Sequence, residues 1–150
     1  MSVLILFACI GYLLAVLWID LIFDSLVLPH HDKETLPEEV LATMASFFKR
    51  LTHKPRLIFV VMITMFAIVI LQIVQGTVPA WVGWASLILV TVPTGYATAR
   101  VMPAARRLGA RIDIPQKQSE LARSLFAMHT FSFILMTLLG LIQLYAASGG

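Results

Sequence analysis

An all-α membrane protein, with four transmembrane helices in one bundle and a cytoplasmic amphipathic helix between spans one and two, is the fold class that this sequence predicts. Three observations predict it. Hydrophobic residues make up 59% of the chain and charged residues only 13%, against about a quarter charged in soluble domains, and the mean hydropathy is +0.90. The apolar residues gather into four runs, each near the ~20 residues that a helix needs to cross the hydrocarbon core. All eleven lysines and arginines fall in two of the intervening loops, the sidedness of a polytopic membrane protein. Four spans and two loops use up the 150 residues, so residues 1–150 read as one integral-membrane domain.

The first span covers about residues 2–28. Asp20 and Asp24 interrupt it near its end and Pro29 closes it. No basic stretch precedes it, so it reads as a span that stays rather than a cleaved signal. Cys9, the one cysteine, lies inside it, which excludes an intrachain disulfide framework, a thiolate cluster and a c-type haem.

An amphipathic helix follows over about 36–52. Thr35-Leu36-Pro37-Glu38 reads as a capping box, with Thr35 capping and Glu38 reaching back. Val40, Leu41, Met44, Phe47, Phe48 and Leu51 recur at three- and four-residue spacing on one face. This face either docks under the bundle or lies on the membrane surface, and the surface is the preferred placement. Pro55 separates the helix from the second span.

The second span covers about 57–76, and Gly76-Thr77-Val78-Pro79 makes a very short turn into the third, about 79–99. Trp81 and Trp84 suit the headgroup level. Pro93 and Gly95 predict a kink that frees a backbone carbonyl. The basic stretch from Met102 to Lys117, broken by Pro103 and Pro115, reads as a short helix around Ala104 to Leu108 followed by extended chain. The fourth span covers about 125–146.

Lys33, Lys49, Arg50, Lys54 and Arg56 lie between spans one and two, and Arg100, Arg106, Arg107, Arg111, Lys117 and Arg123 between spans three and four. The positive-inside rule therefore places loops 29–56 and 100–124 in the cytoplasm and both termini outside, in an inner or plasma membrane. Attraction to acidic lipid accounts for the arginines. Membrane lipid, including bound lipids, and other membrane-protein subunits or a second copy of the chain are the expected partners; nucleic acid is not.

Asp20 and Asp24, four apart, project from one helix face about a turn apart. A carboxylate at the bilayer centre costs roughly 2.5–3.5 kcal/mol on insertion scales, so each needs a partner, a proton or water. The first span runs inward and the fourth outward, which brings His129, one turn into the fourth span, to the level of both acids. Arg100, Arg123 and Tyr96 converge at the same leaflet as candidate charge partners, and His30 and His31 follow Pro29 at the same end. Three readings stand: a structural polar network, proton or substrate binding, or a carboxylate and imidazole site for a divalent metal at Asp20, Asp24 and His129 with His30 or His31. Gln72, Gln75 and Gln143 are the amides of the outer halves, and Thr64, Ser86, Thr91, Ser132 and Thr137 are placed to bond back to their own helices. No polar track crosses the membrane, which argues against a channel formed by one chain. No nucleophile motif, phosphate-binding glycine loop or zinc-helix motif is present.

Leu125-Phe126-Ala127-Met128-His129-Thr130-Phe131-Ser132, with Tyr96 to Arg107 ending in Met102-Pro103-Ala104-Ala105-Arg106-Arg107, resembles the last half of small four-span bacterial membrane proteins of the anthrone-oxygenase-like and DUF4149-like families. In these a span ends near a proline, a basic loop follows, and the last span opens with a histidine and a serine three residues on, as His129 and Ser132 do here. The resemblance covers about a third of the chain and implies a four-span fold. The aspartates of Trp18-Ile19-Asp20-Leu21-Ile22-Phe23-Asp24 depart from the small residues usual there.

Two main functions are expected of such a chain. One is a non-catalytic membrane subunit or scaffold packing against partner membrane proteins. The other is a small membrane enzyme or metal-handling protein using Asp20, Asp24 and His129. A transporter working as an oligomer is a third, and it needs the third span at Pro93 and Gly95 to line a cavity.

Overall fold

The computed structural model describes residues 2–53 and 56–149, so the expected break at Pro55 lies outside the described residues. Four helices are long and apolar enough to cross a membrane: Ser2–His30, Arg56–Gln75, Ala80–Ala110 and Pro115–Ala147. The first consists of α1, Ser2–Asp24, and a tighter turn over Ser25–His30 that carries Pro29. The helix expected over about 36–52 is α2, Glu38–Leu51, and the second long helix is α3, Arg56–Gln75. The third begins as α4, Ala80–Tyr96, widens into a π-turn over Ala97–Val101 and continues as α5, Met102–Ala110. The last is α6, Pro115–Ala147.

α1 packs against α6 and α3, and α4 packs against α6 and α3, so the four long helices surround a common axis. The α3–α4 turn shows why glycine stands at position 76. Its φ is 60°, Gly76 N–H reaches Ile73 O at 3.3 Å and Thr77 N–H reaches Gln72 O at 3.1 Å, the paired bonds that end a helix at a left-handed residue.

Pro93, the site of the expected kink, stands inside α4, and the helix widens four residues later, in the π-turn. Two expectations about boundaries change. The loop expected over 100–124 shrinks to a turn at Arg111–Ile114, where Arg111 takes a φ of 53°, because the third and fourth helices run on past their apolar runs. Hydropathy marks the depth of lipid, and a helix with arginines at its end continues beyond it. The capping box at Thr35 does not form. α2 starts at Glu38 after Pro37, with no side-chain cap, and Leu36 N–H donates instead to Ser119 Oγ at 2.9 Å.

α2 also lies differently from the preferred placement on a membrane surface. Val40, Leu41, Met44 and Phe48 are buried and Phe47 and Leu51 half-buried, covered by Ala104, Ala105 and Leu108 of α5 and by Ala122 and Leu125 of α6. Protein, not lipid, takes this face, because α5 offers small residues that let α2 approach closely. A Cβ on Gly109 would stand 2.9 Å from Lys49 N and 3.1 Å from its Cα. The start of α2 is clamped to the α5–α6 turn by Glu38 and Arg111, paired as two parallel bonds of 2.7 and 2.8 Å. Hydrogen bonding from the Arg111 guanidinium holds the Glu38 carboxyl below its ordinary value.

Two apolar cores result. One lies at the α2 end, around Leu41, Met44, Phe48, Leu108 and Leu125. The other fills the half toward Gly76, around Leu6, Ile10, Met65, Val69, Val90 and Leu139. The buried ionisable residues Asp20, Asp24 and His129 lie between them.

Candidate functional site: a buried Asp–His–Asp group beside an apolar cavity

The buried stripe of α1 includes Leu6, Ile10, Leu13, Asp20 and Asp24, and that of α6 includes Leu125, His129, Ser132, Met136, Leu139 and Gln143. Both recur at the three- and four-residue steps that keep one helix face inward. Where the stripes meet, Asp24 Oδ2 lies 2.5 Å from His129 Nδ1, and Asp20 Oδ2 lies 3.9 Å from Nε2 on the other side of the ring. Asp20, Asp24 and His129 are 4%, 0% and 4% exposed. The Phe48 ring lies near-parallel to the imidazole at a centroid distance of 6.1 Å, so α2 closes the group from its own end.

Asp24 fixes the imidazole. With its Nδ1–H directed at that carboxylate, Nε2 is the atom left free for exchange, as in other carboxylate-oriented histidines. Nε2 and Asp20 do not form a direct hydrogen bond at 3.9 Å. Both residues line a cavity of about 100 Å³ whose walls are otherwise apolar, with Leu13, Leu17, Ile58, Met62, Phe48 and Met136 among them, and with Ser132, Thr94 and Thr52 adding hydroxyls. The two outer carboxylate oxygens, Asp20 Oδ1 and Asp24 Oδ1, are buried without a hydrogen-bond partner.

The structure thus brings together Asp20, Asp24 and His129 and leaves apart the other expected members. Arg123 does not pair with the acids. Six residues from His129, it points about 120° around the helix, where it donates to the carbonyls of Glu34, His30 and Lys33. Arg100 is exposed on the π-turn, and Tyr96 stands edge-on to Phe131 at 5.9 Å. The partner of the acids is His129. His31 is exposed, its Nδ1 3.2 Å from Leu28 O, and His30 meets the site's surroundings through its carbonyl.

The divalent-metal arrangement expected of Asp20, Asp24, His129 and His30 or His31 does not assemble. The two carboxylates sit at opposite nitrogens of one imidazole, so they cannot join that ring around one ion. Among the described residues no group of three or more His, Cys, Asp or Glu side chains could hold a metal.

A second buried polar group went unread in the sequence. Gln72 of α3 and Gln143 of α6 exchange two amide bonds of 3.1 Å, and Gln143 Nε2 also donates to Ser86 Oγ of α4 at 2.8 Å. Ser86 therefore accepts across helices, while Thr64, Thr91 and Thr137 do bond back to their own helices. The available signal was spacing: Gln143 lies fourteen residues, four turns, after His129 and so on nearly the same face.

No protein-family model, no curated protein and no solved structure matches this chain.

Proposed function

We propose that this chain is a multi-pass integral-membrane protein, with both termini outside and the α2 and α5–α6 segments in the cytoplasm, and that it works as a small membrane enzyme. Its working group is an acid–base site, Asp24–His129–Asp20, that serves a small molecule entering from the lipid phase. The sidedness of the lysines and arginines supports the orientation. The observation that carries the functional reading is His129 Nε2, oriented by the 2.5 Å bond from Nδ1 to Asp24 and facing Asp20 on the wall of an apolar cavity. An imidazole held in this way gains or loses one proton at one atom, which is what a general acid or base requires. A network made only to join helices would satisfy its carboxylates; here Asp24 keeps one oxygen bare and Asp20 hydrogen-bonds through neither.

As a non-catalytic subunit the chain would bind partners through its outward apolar faces, which lipid covers equally well, and the cavity would have no part in that role. The transporter reading needs a path through the other half of the bundle. Pro93 does line the cavity, but the core around Val69, Val90 and Leu139 and the Gln72–Gln143–Ser86 group occupy that half.

The test is a pH titration of the His129 ring nitrogens by NMR, on protein in lipid nanodiscs. The reading expects Nε2 to exchange its proton while Nδ1 keeps its own, and expects Asp24→Asn to abolish that asymmetry. An imidazole that keeps one state throughout, in a protein that copurifies with stoichiometric partner subunits, overturns it in favour of the scaffold.

A further inference from the structure

The cavity wall specifies its occupant. Most of it is hydrocarbon, so the greater part of the ligand is apolar. Asp20, 96% buried and on the wall, has no hydrogen bond at either oxygen: Oδ1 is buried without a partner and Oδ2 lies 3.9 Å from Nε2. An ionised carboxylate oxygen only accepts, and a buried acceptor left bare costs more than a bonded one gains, so the complementary group is a donor. Asp20 Oδ2 and His129 Nε2 stand 3.9 Å apart. One oxygen placed at an ordinary hydrogen-bond length of about 2.8 Å from each would see them at roughly 90°. A hydroxyl meets that geometry by donating to Asp20 and accepting from a protonated Nε2.

The shape of the site adds the tail. The fully buried residues of α3 lie at Met65 or beyond, and its first half walls the cavity with half-buried Ile58 and Met62. At about 100 Å³, against the ~10–15 Å³ that one water needs, the cavity takes a head of several heavy atoms and not a whole lipid.

We infer that the cavity binds a lipid-soluble hydroxyl compound, an alcohol or phenol with a slender apolar tail. Its O–H bridges Asp20 and His129, and its tail leaves past Ile58 and Met62 into the bilayer. The inference names the ligand class of the acid–base site and rests on that reading.

The probes are para-hexylphenol and its methyl ether, which keeps the shape and loses the donor, added to the protein in lipid nanodiscs with empty nanodiscs as the partition control. The phenol should shift the His129 Nε2 resonance saturably, with the ether at least tenfold weaker. Asp20→Asn should weaken the phenol about tenfold or more with Nδ1 still tied to Asp24. Ala97→Phe, which fills the wall, should exclude both probes. Equal binding of phenol and ether overturns the inference, since apolar walls alone would then explain occupancy, and so does the absence of any saturable shift. The ether comparison needs no variant, so a misfolded Asp20→Asn does not weaken it. If Nε2 still exchanges its proton with pH while the phenol fails to bind, this inference alone is lost; if Nε2 never exchanges, the acid–base reading goes with it.

Discussion

Two buried polar groups join the long helices, and the bundle treats them differently. Toward Gly76, Gln72, Gln143 and Ser86 join three helices with neutral groups, and none of their buried atoms is without a partner. At the α2 end, Asp20, Asp24 and His129 join two helices with ionisable groups, leave two carboxylate oxygens bare and border a cavity. Interhelical hydrogen bonds in membranes contribute only about 0.6 kcal/mol each on average. The amide group therefore achieves helix contact at little risk, whereas two intramembrane acids are an expensive way to reach the same end. That cost, beside open volume, is what supports the acid–base proposal for the ionisable group and not for the amide one.

The largest effect expected is at the ionisable level. His129→Ala should lower the unfolding free energy by about 3–5 kcal/mol, because it leaves two buried carboxylates uncompensated, as measured by reversible denaturation in detergent. Replacing Asp24 with Leu and His129 with Phe together should restore part of that loss, since an apolar pair of similar volume tolerates burial well and only Asp20 is then left uncompensated, while para-hexylphenol binding stays absent. Recovery of stability without recovery of binding marks the group as functional. Binding that survives the double change would break the distinction between the two levels.

Gly109→Ala should cost about 1–3 kcal/mol, the usual penalty of overpacking, since the new methyl meets the Lys49 backbone, which cannot swing aside. Phe48, one residue from that contact, lies over the imidazole, so the variant should also perturb the His129 resonances. A Gly109→Ala protein with unchanged His129 signals would show that α2 does not close the site.

Gln143→Leu should also cost about 1–3 kcal/mol by stranding Gln72, and Gln72→Leu with Gln143→Leu should return to within about 1 kcal/mol of the original. Neither should alter the proton exchange of His129, about 21 Å away along α6 at 1.5 Å per residue. A change there would mean that the two levels are coupled.

The same contrast explains what the sequence makes legible. The four apolar runs and the common depth of Asp20, Asp24 and His129 follow from hydropathy and from the antiparallel course of the first and last spans, both properties of single helices. What one helix cannot report is its rotation against its neighbours. That rotation decides that Arg123 turns to the carbonyls of Glu34, His30 and Lys33 instead of to the acids, and that Ser86 faces Gln143. It also sets the fit of α2 against the small residues of α5. Pattern within α6 held part of this, since the inward stripe that contains His129 also contains Gln143 and omits Arg123.

The smallest effect expected lies at the clamp that holds α2 beneath the ionisable level. The Glu38 carboxyl is held below its ordinary value by Arg111, so its contribution is present above the unfolded glutamate value and fades as the pH falls through the lower, folded one. The pair is exposed, so the contribution is small and falls further with added salt. Glu38→Gln should speed amide hydrogen exchange at Val40 and Leu41, after correction for intrinsic rates, at neutral pH and low salt. The difference from the unaltered protein should close as Glu38 is protonated in acid. A difference that persisted in acid would assign the clamp to the shape of the side chain and not to its charge. Arg111 would then hold α2 by packing alone, leaving the two parallel bonds without energetic weight.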